Sequence, residues 1–255
     1  MLHDYDLKAP QNASVEIGGI LQPINKALVD HGYSPASLGV PRLPVLASGS
    51  NASPTRLREK FGSDSGQTLI PVVKHQVSDV LPVFSAKFAS YGSITATLQY
   101  VPGSQSQMFA TYLSEPQLLR MHGTEAIGDE YHFARIDNVE IVSESGDLTR
   151  GPVYAYLSIK EVFQVDGLQF TLREFKTNAP GARFAARSQE TILKLAWGLL
   201  ESKKNLDTFI YENISDKNIR RQRNDRLRAY STPFADVSVK IIEGSPAKLF
   251  KRMAK

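Results

Sequence analysis

The sequence predicts an α+β domain in which helices flank a mixed or mostly antiparallel, barrel-like sheet. Three observations support this fold class. Strand-like segments outnumber helical ones, the two kinds follow the order strand, helix, several strands, helix, strands, helix, and no repeat of fixed period interrupts that order. The 255 residues are enough for one large domain, or for a medium domain with additions.

The first strand and helix are expected in Val45–Phe61, which reads VLASGSNASPTRLREKF. An apolar run ends at Gly49, Ser50 and Asn51. A helix should follow Ser53, because serine is a common N-cap residue and the next residue is a proline, whose φ angle suits a first helical position. Unpaired N–H groups at a helix N-terminus can hold an anionic or strongly polar ligand group. A strand-to-helix turn without any ligand remains an equal alternative.

The glycine-bearing turn matches none of the common motifs for phosphate binding or nucleophilic catalysis. A P-loop needs Gly-Lys-Ser/Thr at the end of a longer glycine loop, and a dinucleotide fingerprint needs G-x-G-x-x-G. A nucleophile elbow needs G-x-S-x-G, whereas Ser50 lies in S-G-S-N-A. Ser50 is therefore a poor candidate for a nucleophile.

Strand-like segments fill the middle of the chain, and a helix follows them. The strands read TLIPVVKHQVSDVLPVFSAKF, GSITATLQYV and SQMFATYLS. Between the last two, Pro102-Gly103 predicts a turn. In SEPQLLRMHGTEA the apolar period becomes helical, with Ser114 as a capping residue and Pro116 in the first turn. This helix should place Glu125 near its C-terminal end.

The two ends of the chain look different from its middle. A helix is expected around Leu21–Leu28 and another from about Ser188 to Lys203. The alternation typical of strands is found in YHFARIDNVEIV, PVYAYLSI and QFTLREFKT. We therefore predict three parts, which are an N-terminal extension at 1–42, a domain at 43–205 and a basic, helical C-terminal extension at 206–255.

Composition excludes several kinds of chemistry. The absence of cysteine rules out disulfides, thiol nucleophiles, cysteine-ligated zinc and iron–sulfur clusters. No window approaches the run of about 18 apolar residues that a membrane span needs. The first residues are acidic where a secretory signal would be basic. We expect a cytoplasmic protein without a membrane partner.

An arginine-rich stretch, Asn218–Arg228, holds five of the 30 Lys and Arg residues of the chain. Arg220–Arg228 could bind phosphates or a nucleic acid. No aromatic residues alternate with the arginines as they do in common RNA-binding modules, so a solvated helical face is the commoner explanation. Nucleic-acid binding stays an open alternative.

Residues 43 to 200 resemble the gamma-glutamylcyclotransferase family. VLASGSN is similar to the strand and Y-G-S-N turn of that family. YGSITATLQYVPGSQSQMFATYLSEPQLLRMHGTEA is similar to its central passage, where two strands lead into a helix that bears the catalytic glutamate. This chain departs from the family at Ser48, where the family has tyrosine, and at Ala126, where a glycine commonly follows the glutamate.

The resemblance implies an activity and a set of site residues. Enzymes of that family hold a γ-glutamyl group while the α-amine of the group attacks its own γ-carbonyl. This reaction releases an amine and leaves 5-oxoproline. Glu125 would be the general acid/base that moves the protons. The substrate, a small-molecule amide, would be bound by Ser48, Gly49, Ser50, Asn51 and Tyr131.

Two further hypotheses concern what this site binds. The reaction is intramolecular, so we expect no organic cofactor and no metal ion. His122, Glu125 and His132 do not match a zinc pattern, because H-x-x-E without an adjacent second histidine is not one. Loss of the tyrosine at position 48 suggests the alternative of a non-catalytic protein that binds a small metabolite or the acidic group of a partner.

Overall fold

The chain divides into two compact units. The computed structural model describes residues 14–17, 20–62, 69–144, 146, 148–234 and 239–242. The first unit, which we call the site unit, comprises Met1–Ser78, Gln107–Tyr156 and Val237–Lys255. The second unit, which we call the helical unit, comprises Asp79–Ser106 and Leu157–Asp236. The boundaries predicted at 42/43 and 205/206 stay a prediction, and the two units divide the chain at other positions.

Six helices occur among the described residues. They are α1 (Ile24–Asp30), α2 (Pro54–Phe61), α3 (Glu115–Thr124), α4 (Gln189–Glu201), α5 (Leu206–Ser215) and α6 (Lys217–Leu227). Within the described part of the chain, none of them has the length and apolar character that crossing a membrane requires.

Thirteen strands occur in the same residues. They are β1 (Ser14–Ile17), β2 (Ile20–Pro23), β3 (Leu43–Ala47), β4 (Val72–Phe88), β5 (Ile94–Leu113), β6 (Tyr131–Ser143), β7 (Leu148–Ser158), β8 (Val162–Val165), β9 (Leu168–Leu172), β10 (Thr177–Asn178), β11 (Phe184–Arg187), β12 (Ser231–Thr232) and β13 (Val239–Ile241). β4 and β5 contribute residues to both units.

The five longer strands close into a mixed, barrel-like sheet. Its order is β5-β3-β7-β6-β4, and β4 pairs again with β5. β3 is antiparallel to β5, with Val45 opposite Thr111, and parallel to β7, with Val45 opposite Tyr154. All five residues of β3 are buried, as expected for a strand with neighbours on both sides. The predicted α+β fold class is therefore confirmed.

Packing on this sheet fixes α2 and α3 in the site unit. Each helix turns one apolar side inward, with Leu57 from α2 and Leu118 and Met121 from α3. These side chains join one buried cluster with residues of the strands: Leu43, Val45, Leu113, Phe133, Tyr154 and Tyr156. Burial of each large apolar side chain stabilises the fold by about 1.5–3 kcal/mol. The ends of α2 and α3 are held by this cluster.

The helical unit has a core of its own. Strands β8, β9 and β11 continue the sheet from the part of β4 in this unit, and β9 is antiparallel to β8 and parallel to β11. α4, α5 and α6 contact one another. Phe209 of α5 and Leu227 of α6 are fully buried beside Phe84, Phe163 and Ile192. The two C-terminal helices thus complete the core of this unit.

Two sequence predictions were wrong in detail. Pro102-Gly103 is not a turn, because β5 continues through it. Gly103 has a φ of 79° and donates its N–H to the Asp79 carboxylate at 2.6 Å, a left-handed kink inside a strand of the kind that bulges provide. The helix expected around Leu21–Leu28 begins only at Ile24, because the preceding residues form β2 and pair with β1.

Candidate active site

The turn after β3 is anchored to the sheet by its backbone. Ser50, Asn51 and Ala52 form one turn of 3₁₀ helix, and the N–H of Ser53 donates to the carbonyl of Ser50 at 2.9 Å. The hydroxyl of Thr111, on the neighbouring strand β5, donates to the carbonyl of Asn51 at 2.9 Å. This bond leaves the side chain of Asn51 available for a separate contact.

α2 begins directly after that turn, largely as predicted. Pro54 occupies the first helical position. Ser53 has the extended backbone of an N-cap residue, but its hydroxyl accepts no hydrogen bond from the described helix, so the predicted side-chain cap is wrong. Leu57 faces the core, and Lys60 lies one helical turn further along the same side. The side chain of Lys60 is therefore directed toward α3.

Glu125 lies immediately after the last residue of α3, as predicted. The helix follows Ser114, the predicted capping residue, whose N–H donates to the side-chain oxygen of Gln117 at 2.9 Å as in a capping box. Glu125 is 9% exposed, and its N–H donates to the carbonyl of His122 at 3.3 Å. Ala126 then takes a φ of 44°, in the left-handed region, so the chain turns away and the glutamate stands at the end of the helix.

Lys60 connects the turn to the glutamate. Its ammonium forms an ion pair with the Glu125 carboxylate and donates to the side-chain oxygen of Asn51 at 2.7 Å. The Sδ atom of Met121 lies 3.5 Å from the same nitrogen. The side chains of Lys60 and Glu125 are 11% and 10% exposed, so the pair is mostly buried but still meets solvent. This bridge was missed in the sequence, although the spacing of Lys60 from Leu57 could have indicated an inward-facing lysine.

A layer of three rings supports the Glu125 end of the site. Nδ1 of His122 lies 2.7 Å from the hydroxyl of Tyr156, and Phe133 packs against His122 with ring centroids 4.6 Å apart. Burial lowers the pKa of His122 to about 4. Burial and, second, the negative charge of Glu125 raise the pKa of Tyr156. At neutral pH the imidazole and the phenol are therefore both uncharged and add no charge beside Lys60 and Glu125.

The structure brings some of the predicted site residues together and places others nearby. Asn51 and Glu125 meet through Lys60. Ser48 is half-buried at the end of β3, while Gly49 and Ser50 are exposed. Tyr131 is half-buried against the core cluster that contains Met121, which is the packing expected of an ordinary strand tyrosine. Within the described residues, no group of three or more His, Asp or Glu side chains is arranged to hold a metal ion.

Three arginines of the basic stretch are engaged inside the helical unit. Arg223 is 1% exposed and pairs with Glu201 and Glu212. Arg220 donates to the carbonyl of Asn213, and Arg226 pairs with Glu201. Nucleic-acid binding through Arg220–Arg228 stays a prediction, and these three side chains have partners without it.

Comparisons with known proteins find similarity at the level of structure alone. Neither a family model nor a curated protein matches the sequence. A gamma-glutamyl cyclotransferase matches at a TM-score of 0.37 and 12% identity, over 83% of this chain and 99% of that one. An uncharacterized protein from Homo sapiens matches at 0.38 and 14%, over 84% and 99%, and a protein from Arabidopsis thaliana at 0.35 and 16%, over 69% and 94%. Similarity at this level assigns neither an activity nor a site residue to this chain.

Proposed function

We propose that this chain is a cytoplasmic, amine-releasing cyclotransferase that converts a γ-glutamyl or related amide into 5-oxoproline and a free amine. The observation that supports it most is the bridge from Glu125 through Lys60 to Asn51. Two segments that lie more than 60 residues apart, and to which the family resemblance gives the roles of general acid/base and binding turn, meet at one mostly buried point.

In this reaction the main tasks of the protein are to position the substrate and to transfer protons. The α-ammonium of the substrate gives a proton to Glu125, and its nitrogen attacks the γ-carbonyl carbon to form the lactam C–N bond. The old C–N bond then breaks as Glu125 passes that proton to the leaving nitrogen. The ring nitrogen gives up its second proton through Glu125 to the released amine, which departs as an ammonium. Because the nucleophile belongs to the substrate, no side chain has to form a covalent intermediate.

The turn is the proposed place for the polar end of the substrate. Gly49 and Ser50 are exposed at the N-terminal side of α2, where backbone N–H groups carry the positive end of the helix dipole. Asn51 adds a side-chain amide next to Lys60. These groups suit a carboxylate or a carbonyl oxygen that develops negative charge during the reaction.

Ser48 has a proposed effect on which amide is used. A serine in place of the family's tyrosine removes an aromatic wall at the end of β3. We propose that a bulkier amide is a better substrate than glutathione or a short γ-glutamyl dipeptide. Ser48→Tyr should shift the preference toward the small amides. An unchanged order of kcat/KM across the panel would contradict this part of the proposal.

The test is release of 5-oxoproline from a panel of γ-glutamyl amines and peptides, with a chelator present. Glu125→Gln should lower kcat/KM by about 10²–10⁴-fold, the usual contribution of general acid–base catalysis. Glu144→Gln, a 69% exposed glutamate of the same unit that pairs with Lys74, is the matched control. Activity that survives Glu125→Gln would remove Glu125 from the mechanism, and activity lost in chelator would contradict the metal-free reaction.

A second function is favoured by the same ion pair. A carboxylate held by Lys60 is already neutralised, which suits a protein that binds a small metabolite without converting it. Under this hypothesis the panel gives no 5-oxoproline, while a ligand still binds to the wild type and to Glu125→Gln with similar affinity. Stoichiometric or greater product from any one amide would exclude it.

A further inference from the structure

Lys60 and Glu125 form a charge pair that leaves the ammonium incompletely bonded. An ammonium has three N–H donors. Here one meets Glu125, one meets the oxygen of Asn51 at 2.7 Å, and the remaining contact is a thioether sulfur at 3.5 Å, which is a weak acceptor. Because the pair also reaches solvent, a ligand can supply groups that replace Glu125 as the partner of Lys60 and Lys60 as the partner of Glu125.

We propose that Lys60 is a specificity-determining residue that exchanges Glu125 for the carboxylate of an incoming α-amino acid head group. The ammonium of that head group then pairs with Glu125. This inference rests on the proposed function in taking Glu125 and the turn as the place of binding, and it adds the ligand class: the head group must carry both charges, unblocked and unmodified.

The argument is one of charge balance in a mostly buried place. A ligand with an ammonium alone would have to displace Lys60 from Glu125 and leave a second positive charge without a partner. A ligand with a carboxylate alone would leave Glu125 unpaired in the same way. Each unpaired charge in such a site costs free energy, whereas a zwitterion forms two new pairs for the one that it opens.

The proposal can be tested with three probes that lack a γ-carbonyl and so cannot cyclise. They are 2-amino-5-methoxypentanoic acid, which has both charges, its N-acetyl derivative, which has only the carboxylate, and 4-methoxybutylamine, which has only the ammonium. Calorimetry should show that the wild type binds the amino acid at least about tenfold more tightly than either singly charged probe, a difference of ~1.4 kcal/mol.

Two variants should change the preference in opposite directions. Lys60→Met, which keeps most of the side-chain length, should bind 4-methoxybutylamine more tightly than the wild type does, because Glu125 is then unpaired. Glu125→Gln should bind the N-acetyl derivative more tightly, because Lys60 is then unpaired. Lys60→Arg should keep the order of the wild type. A loss of packing alone would weaken all three probes and would not produce this exchange.

Matched controls come from the exposed ion pair between Lys74 and Glu144 of the same unit, at 2.9 Å. Lys74→Met and Glu144→Gln should leave the order of the probes unchanged. The proposal is overturned if the amino acid does not bind to the wild type, or if neither site variant changes the order. If one variant does not fold, the other decides the outcome. Because no probe can react, a missing 5-oxoproline activity would count against the proposed function and not against this inference.

Discussion

The two units each contain mostly buried cations paired with glutamate, and the two arrangements differ in how completely the cation is bonded. In the helical unit, Arg223 is 1% exposed and donates to Glu201 at 2.9 and 2.8 Å, to Glu212 and to the carbonyl of Phe209 at 2.8 Å. Its guanidinium also lies 3.9 Å from the centroid of the Phe209 ring. In the site unit, Lys60 has two oxygen partners and a sulfur contact.

This difference separates the structural role of Arg223 from the exchange of partners that we propose for Lys60. A guanidinium whose donors are satisfied by fixed partners, and whose face is covered by a ring, ties α4, α5 and α6 together. An ammonium with a weak third contact and a path to solvent can change partners at a smaller cost. Burial alone does not distinguish the two cases, since both ion pairs are mostly buried. The number of strong hydrogen bonds that each cation makes distinguishes them.

The largest expected effect is from removing Arg223. Arg223→Ala should lower the free energy of unfolding by about 4 kcal/mol, because breaking a buried ion pair leaves its partners without a counter-charge. Urea unfolding would measure it. Arg221→Ala, at an exposed position of the same helix, is the control and should change the value by less than about 0.5 kcal/mol. A loss for Arg223→Ala no greater than for the control would end the comparison between the two cations.

Acid should affect the two units in different pH ranges. Burial lowers the pKa of His75, in the site unit, to about 4, so the unfolded state binds its proton first and stability falls as the pH drops from 6.5 to 4. The loss is on the order of 3 kcal/mol for this histidine, which is 1% exposed. Hydrogen bonding to Arg223 lowers the pKa of Glu201 to about 2, so its contribution is lost only between about pH 4.5 and pH 2.

Urea unfolding at a series of pH values would measure both contributions. His75→Gln should reduce the dependence between pH 6.5 and pH 4 and leave the part that His122 contributes, and Glu201→Gln should reduce it below pH 4.5. His31→Gln, at an exposed position, serves as the control for the first range. If His75→Gln leaves the curve between pH 6.5 and pH 4 as it is in the wild type, this assignment is wrong.

A smaller effect is expected when Lys60 is changed. Lys60→Met should lower the free energy of unfolding by about 1 kcal/mol, as for a pair that still meets solvent. The control is Lys74→Met in the exposed pair, where the change should be smaller. A loss as large as that for Arg223→Ala would mean that the Lys60–Glu125 pair is structural, and the contrast between the units would disappear.

The smallest effect concerns the residue after Glu125. Ala126 has a φ of 44°, which glycine adopts without steric cost, so Ala126→Gly should stabilise the protein by about 0.5 kcal/mol after the entropy of the unfolded chain is counted. Gly128→Ala is the reverse test in the same loop, because Gly128 has a φ of 90° and a Cβ there would meet no atom within 4 Å. It should destabilise by about 1 kcal/mol through backbone strain alone. Destabilisation by Ala126→Gly in thermal unfolding would contradict the assignment of strain.

The parts of the structure that sequence reasoning predicted are those that depend on nearby residues. Pro54 started α2 and placed Lys60 beyond Leu57, and the period of α3 placed Glu125 at its end, because caps and helical spacing act within a few residues. The ion pair between Lys60 and Glu125 joins residues 65 apart, which no local pattern reveals. The turn predicted at Pro102-Gly103 was wrong for the same reason, since the carboxylate of Asp79, distant in sequence, holds the glycine inside a strand.

The tryptophan of α4 gives the helical unit an optical signal of its own. Trp197, the one tryptophan in the sequence, donates its indole N–H to the carbonyl of Lys204 at 2.8 Å, and the ammonium of Lys204 pairs with the same two glutamates as Arg223. Tryptophan emission therefore reports on the surroundings of Lys204 in the helical unit. The cysteine-free sequence also allows one dye to be attached at a chosen position of the site unit through an introduced thiol. Recorded together during unfolding, the two emissions would show whether the units lose their structure in one step or in succession.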